Sequence, residues 1–356
     1  MHKFSAFTSL ALLLGCGGGP STSGGTNSGG GPDSGSGEQP STCSGTSAKA
    51  QFVFDTLTVP ASKKDFAYDP TGDGSAHNQL GVLGQILVQS QISPQTGVDE
   101  AIKAGTLVLL LEELSKDASF AVDSCAQTIM YDGASATVEQ MMNGKRATLV
   151  GGNQSSFSGT LKDSGYTSTA QQQVKTPVVL KLQVPLVSGT DALEIILTGA
   201  TVSYRNATQQ LSAGQINGVV KKADLQNSVL PGIARLLTQK VQRNLGMPDT
   251  NVKILDLFDT GGDAGEKPAC PVDPANGKAP CQNLNGSCAK AKDGQIDDCE
   301  VSTGFLKYVL VPDVQMYDSK GNWAPNANNT LCANNAAQPC DSLSVGFGFS
   351  AIGVTF

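Results

Sequence analysis

Asp69, Thr71 and Asp73 stand at alternate positions ahead of Gly74, in the run Asp69-Pro70-Thr71-Gly72-Asp73-Gly74-Ser75. Oxygen-bearing side chains at every second residue before a turning glycine are what a hard cation such as calcium asks of a loop. A second run, Asp293-Gly294-Gln295-Ile296-Asp297-Asp298-Cys299-Glu300, offers Asp293, the Gln295 carbonyl, Asp297, and Glu300 where both carboxylate oxygens could bind. Both runs are incomplete. Leu80 occupies the acidic twelfth position of the first, and Ala289 and Ala291 occupy the first two ligand positions of the second. Carboxylates from Asp259 or Asp263 would have to complete the second. The same residues serve equally as turns and helix caps, because Asp-Gly favours turns and acids favour helix starts. Calcium, in a structural rather than a sensing role, is the cofactor these loops could hold.

The cysteines and histidines exclude more than they suggest. Beyond Cys16 there are eight cysteines: Cys43, Cys125, Cys270, Cys281, Cys288, Cys299, Cys332 and Cys340. An even number in an exported chain reads as disulfides. The four from Cys270 to Cys299 lack the two-residue spacing by which thiolate pairs clamp zinc, so no zinc is expected. Cys332 and Cys340 enclose a polar loop, which leaves Cys43 and Cys125 as a candidate long-range staple; the connectivity of the other four stays open. His2 belongs to the leader, so His77 is the one histidine that any imidazole-activated nucleophile would have to use. Its place at the start of an expected helix reads as a cap. No phosphate-binding glycine motif occurs, so no nucleotide is expected. A net charge of -7 leaves no basic footprint for nucleic acid. Aromatic residues make up 5% of the chain, with Trp323 the only tryptophan, too few to line the cleft of an acid-pair glycosidase.

The N-terminus carries an address. Lys3 precedes a short apolar run from Phe4 to Leu14, too short to span a bilayer, and the run ends in Leu13-Leu14-Gly15-Cys16. This resembles the lipobox of bacterial lipoproteins. The resemblance implies a signal peptide over 1–15, cleavage before Cys16, acylation of that cysteine, and anchoring of the protein to a membrane through lipid. Gly17 in place of aspartate points to the outer membrane. The segment 16–48 is then a tether: glycine, serine, threonine and proline fill 26 of the 32 positions from 17 to 48, which gives a reach of about 30 Å. The second carboxylate run, Asp293 to Glu300, resembles the later half of an EF-hand loop, and it is against that pattern that Ala289 and Ala291 fall at the first two ligand positions.

These residues need elements to position them. Gln51 to Pro60 alternates as a strand, and Ser75 to Ile92 reads as an amphipathic helix weakened by Gly81 and Gly84, whose expected benefit is close approach to a sheet. A helical turn over Val98–Ala104 leads to a buried strand at Thr106–Leu111. Residues 128–161 read as short strands punctuated by glycine, and 162–175 as a polar connector. Val178–Leu186 and Ala192–Tyr204 read as a hairpin, and a second helix runs from its cap Asp224 to Gly246, kinked at Pro231. At the C-terminus Leu343, Val345, Phe347 and Phe349 alternate, then Ile352, Val354 and Phe356 take the other phase, which a bulge near Ala351 would reconcile. A terminal phenylalanine on such a strand resembles the last strand of outer-membrane barrels, but long helices, a cysteine-rich insert and a separate lipid anchor argue against a barrel.

The expected fold is therefore α+β: a strand-rich body over 49–356, two amphipathic helices packed on sheet, disulfide-stapled loops, and a cysteine-rich insert over 259–300. Strand followed by helix occurs twice, dividing the body into halves 49–175 and 176–356 without the similarity of a repeat. The layout resembles that of outer-membrane lipoproteins of myxobacterial type, in its lipobox, Gly/Ser tether, aspartate-rich stretch and final strand Ser344-Val345-Gly346-Phe347-Gly348-Phe349. The functional expectation is a non-catalytic, lipid-anchored envelope protein, a structural or binding module whose envelope partner or ligand the sequence does not name. A second reading is a carrier of apolar ligands between helices and sheet. A carboxylate-dependent hydrolase is the third, disfavoured by the scarcity of histidine and aromatics.

Overall fold

The computed structural model describes residues 48–89, 92–170, 174–186, 191–207, 209–242, 310–325 and 340–356, together with Leu255, Phe258, Ile296 and Val301. Among these residues nine strands form: β1 (Ala48–Thr58), β2 (Val108–Ser115), β3 (Asp123–Ala134), β4 (Thr148–Lys162), β5 (Gly165–Ser168), β6 (Val179–Val184), β7 (Leu193–Asn206), β8 (Gln210–Lys221) and β9 (Ser342–Gly353). All pair antiparallel, in the order β5-β4-β3-β2-β1-β9-β8-β7-β6, and β5 also pairs with β7. That last pairing, Gly165–Thr167 against Ser203–Arg205, closes eight strands into a barrel. β6 lies outside the ring's count, on the first part of β7 from Leu193 to Thr198.

This corrects the α+β expectation. The body is a closed antiparallel barrel, and the helices are additions to it rather than a layer on an open sheet. Closure depends on residues about 40 positions apart, in a stretch read as a polar connector, so no local periodicity announces it. Closure gives β5 a partner on each of its edges. Residues 128–161 supply parts of two long strands, joined by the short helix α3 (Val138–Met142), rather than several short ones. Like β5, β8 was not foreseen. Its inward positions include Gly214 and Gly218, which thin out the apolar alternation; a β-carbon at Gly214 would fall 2.7 Å from the Phe349 ring.

Apolar side chains fill the inside of the barrel. In β7, Val202 and Tyr204 are buried, while Thr201 and Ser203 are half-buried and Arg205 is exposed. A membrane-spanning barrel has the opposite arrangement, with its apolar band outside. Phe54 and Phe349 stack at 4.4 Å, Tyr204 meets Phe349 edge-on at 6.2 Å, and Tyr166 stacks on Tyr204 at 5.0 Å. These four rings form a column through the interior.

Helices α1 (Leu80–Gln89), α2 (Pro94–Ala104) and α4 (Leu230–Gln242) gather at one end of the barrel. Gln95 of α2 accepts from Val59 N–H and donates to the Leu57 carbonyl at the end of β1, the Gln79 N–H before α1 donates to the Ser344 carbonyl at the start of β9, and Gly232 of α4 meets Leu193 at the start of β7. Their buried residues, among them Leu83, Val98, Ile233 and Leu237, share one core with the strands. α2 begins a turn earlier than the helical turn read over Val98–Ala104, because Ser93 caps it and Pro94 opens its first turn, and a left-handed Gly105 ends it. Gly81 and Gly84 of α1 do permit a close approach, but to the chain leaving β1 rather than to a sheet: added β-carbons would fall 2.0 Å from the Ser62 and Pro60 carbonyl oxygens. Asp224 makes no side-chain cap. Instead a π-helical turn over Leu225–Val229 leads into α4 directly before Pro231, a wider turn that tolerates a residue without an N–H.

β9 keeps its phase throughout. The irregularities lie on its neighbours, at Asp55 of β1 and between Leu211 and Gly214 of β8. Ile352, Val354 and Phe356 face the outside of the wall, in a second apolar cluster with Val53, Val108, Leu110 and Met141, where Phe356 meets Tyr131 edge-on at 6.0 Å.

Candidate ligand site at the open end of the barrel

The end opposite α1, α2 and α4 is where β1, β3, β5 and β8 begin and β2, β4, β7 and β9 finish. A recess of about 930 Å³ lies there, lined by Lys49, Ala50 and Phe52 of β1, Phe120 of the β2–β3 loop, Asn206 of β7 and Val354 beyond β9, among others. It continues over the start of β1 to Met141, Met142 and Arg146 around α3. Its lining mixes apolar surface with amides, hydroxyls and the two cations Lys49 and Arg146.

Below Asn206 lies Glu113, a residue the sequence reading passed over. It is 0% exposed. Alternation along β2 places it on the face of Leu109 and Leu111, toward the interior, while Glu112 points outward and pairs with Lys49 at 2.5 Å. Two acids closing an apolar run carry a signal in this parity: the one in phase with the buried leucines must be buried too. Glu113 Oε2 accepts a hydrogen bond from Asn206 Nδ2 at 2.6 Å, and Oε1 has no partner. Burial raises its pKa to about 7 against the smaller, opposing pull of Asn206 and Tyr204. The Tyr204 hydroxyl shares a 2.6 Å hydrogen bond with Thr128, and Tyr166 donates to the Phe157 carbonyl at 2.7 Å. Burial, with the nearby Glu113 carboxylate as a lesser cause, pushes both tyrosines above their usual range.

The sequence-derived sites fall elsewhere. Asp69 is turned onto its own loop: Oδ1 accepts from the N–H groups of Thr71, Gly72 and Asp73 and from the Thr71 hydroxyl, and Oδ2 from Gly74 N–H. Partial burial pushes its pKa up, but the four backbone donors prevail and hold it below the usual carboxylate value. Asp73 accepts from Ser75 N–H at 2.7 Å. Among the described residues no three acidic, histidine or cysteine side chains are grouped to hold a metal. His77 lies with its Nδ1 3.8 Å from Asp313, whose carboxylate takes the Ser344 N–H and hydroxyl, and pairs through its backbone with Tyr68. This unites loop and barrel without presenting a nucleophile, since Ser344 is fully buried. Cys125 on β3 and Cys340 ahead of β9 are disulfide-bonded. Cys16, Cys43, Cys270, Cys281, Cys288, Cys299, Cys332, Asp293, Gln295, Asp297 and Glu300 lie outside the described residues.

The buried side chains of the helices, where the second reading set an apolar ligand, belong to the core they share with the strands. No helix among the described residues is long and apolar enough to cross a membrane. No protein-family model, curated protein or solved structure matches this chain.

Proposed function

We propose that this chain is a lipid-anchored cell-envelope protein, held at the outer membrane through Cys16, whose barrel is a non-catalytic binding module with its ligand site at the open end. The observation that carries the reading is the asymmetry of the barrel: one end is filled by helices, while the other holds a recess of about 930 Å³. The tether expected over 16–48 joins the body at the rim of that recess, because β1 starts there at Ala48. Phe52, Phe120 and Val354 supply apolar contact, while Asn206, Lys49 and Gln51 supply polar contact, so the ligand class is an amphiphile with a slim apolar part.

The test is native mass spectrometry of the protein extracted gently from its own membranes. A retained mass of several hundred daltons is expected beyond that of the anchor itself. Ala207→Trp, at an exposed position on the recess wall, should lose that mass while keeping the melting temperature of the parent. A bare protein under native conditions, or a mass that Ala207→Trp retains, would remove the recess as the site.

A further inference from the structure

The chemistry of Glu113 is left incomplete by its surroundings. Asn206 satisfies Oε2, while Oε1 is buried and has no partner. Tyr166 of β5 and Tyr204 of β7 are the titratable groups that face it, and their hydroxyls are engaged by Phe157 and Thr128. On β1 the register partner of Glu113 is Ala50; Lys49 beside it points outward to Glu112. The ion pairs among the described residues are Lys49–Glu112 and His77–Asp313, and Glu113 belongs to neither. An ionised carboxylate without a counter-charge is costly in such a place. The Tyr204 hydroxyl, already shared with Thr128, also acts on the carboxylate, but it is neutral and brings no counter-charge.

We propose that Glu113 is the anionic end of a ligand site inside the open end of the barrel, which takes a primary ammonium group carried on an apolar chain. This rests on the reading of the recess as a binding site. An ammonium group brings a charge and three N–H donors, enough for both carboxylate oxygens. The Asn206 amide holds one of those donor places in the free protein and also lines the recess, so turning its side chain aside connects recess and carboxylate. The small side chain of Ala50, on the recess wall and opposite Glu113 in the ladder, leaves the approach narrow but unblocked by a large group. The apolar chain then lies against Phe52, Phe120 and Val354.

The experiment is calorimetric titration with three probes of equal chain length, n-octylammonium, n-octanol and octanoate, between pH 5.5 and 8.5. Octylammonium keeps its charge across that range, so any pH dependence belongs to the protein. Its affinity should rise about tenfold per pH unit up to about pH 7, as Glu113 ionises, and level off above. At pH 8 it should exceed octanol by at least about tenfold, the gain from one charge-assisted pair. Glu113→Gln, which preserves shape, should erase both the preference and the pH slope. Asn206→Ala, which removes the competing amide, should keep the preference and tighten binding. If the three probes bind alike, or octanoate binds best, and Glu113→Gln changes nothing, the ammonium site is overturned while the recess stands. If none of the three binds either the parent or Asn206→Ala, both readings fall.

Discussion

The ring of Phe349 lies flat on that of Phe54, 4.4 Å away and tilted by 6°, and it does so because Gly214 on the neighbouring strand has no side chain. A β-carbon there would fall 2.7 Å from three atoms of the Phe349 ring. Gly214→Ala should therefore cost about 1–3 kcal/mol by overpacking, and Phe349→Ala about 3–5 kcal/mol by opening a cavity inside the column. Urea unfolding reads both. If the two substitutions together cost less than Phe349→Ala alone, the missing ring has made room for the added methyl.

Glu113 makes stability fall as pH rises. Its folded pKa, about 7, lies above the ordinary value of 4.5, so the folded state holds the proton more tightly. Stability from this group is fully present below 4.5 and is lost between 4.5 and about 7, to a total of about 3 kcal/mol by linkage. The difference in unfolding free energy between parent and Glu113→Gln, followed across that window, should show this slope. A flat difference would mean that Glu113 is solvated or paired.

The Asp69 loop should respond in the opposite direction. Asp69 is held below the ordinary 3.8, so its contribution is present above that value and lost as pH falls below it. Asp69→Ala leaves the N–H groups of Thr71, Gly72, Asp73 and Gly74 without their acceptor and should cost about 1–2 kcal/mol, a loss comparable to that of a helix cap. Thermal melts at pH 7 and pH 3 separate the two cases: the penalty should be largest at pH 7. The same melts with and without a chelator show whether calcium adds to the loop.

The glycines of β9 are seats for the chain between β1 and α1. A β-carbon on Gly346 would fall 2.2 Å from the Phe66 carbonyl oxygen, and one on Gly348 would fall 2.3 Å from the Phe66 ring. Asn78 locks the same contact, donating to the Gly346 carbonyl and accepting from the Gly346 N–H. Gly346→Ala should cost more than Gly348→Ala, because a carbonyl and an amide must move in the first case and a ring edge in the second. Both should raise the rate of proteolytic cutting within 62–78, and an unchanged cutting rate would show that the segment is held by other contacts.

The sequence by itself determined the elements whose signal is local. β1, β2, β6, β7 and β9 show in the alternation of Phe52 and Phe54, in the run at Val108–Leu111, and in the pattern from Leu343 to Phe349. α1 and α4 show in their apolar stripes, and the later part of α2 in the helical turn at Val98–Ala104. Side-chain period and capping act within a few residues, so they can be read without knowing the fold. The parity that buries Glu113 was legible in the same way, beside Leu109 and Leu111, once both faces of β2 were considered.

Only the tertiary structure decided that these strands form a ring. The pairing of Tyr166 with Tyr204 and of Phe52 with Gly353 joins residues far apart in the chain, and the identity of a strand's neighbour leaves no local trace. Gly214, Gly346 and Gly348 are places where another segment comes close. The phase change after Phe349 became a second buried face rather than a bulge, because α3 and Tyr131 cover the outside of the wall there. The carboxylates singled out by spacing at Asp69 and Asp73 are spent on turns, whereas the one that faces an unfilled need, Glu113, acquires its character only from burial beneath Asn206. Burial is a property of the assembled barrel, and the pKa of a side chain follows its surroundings in space rather than its neighbours in sequence.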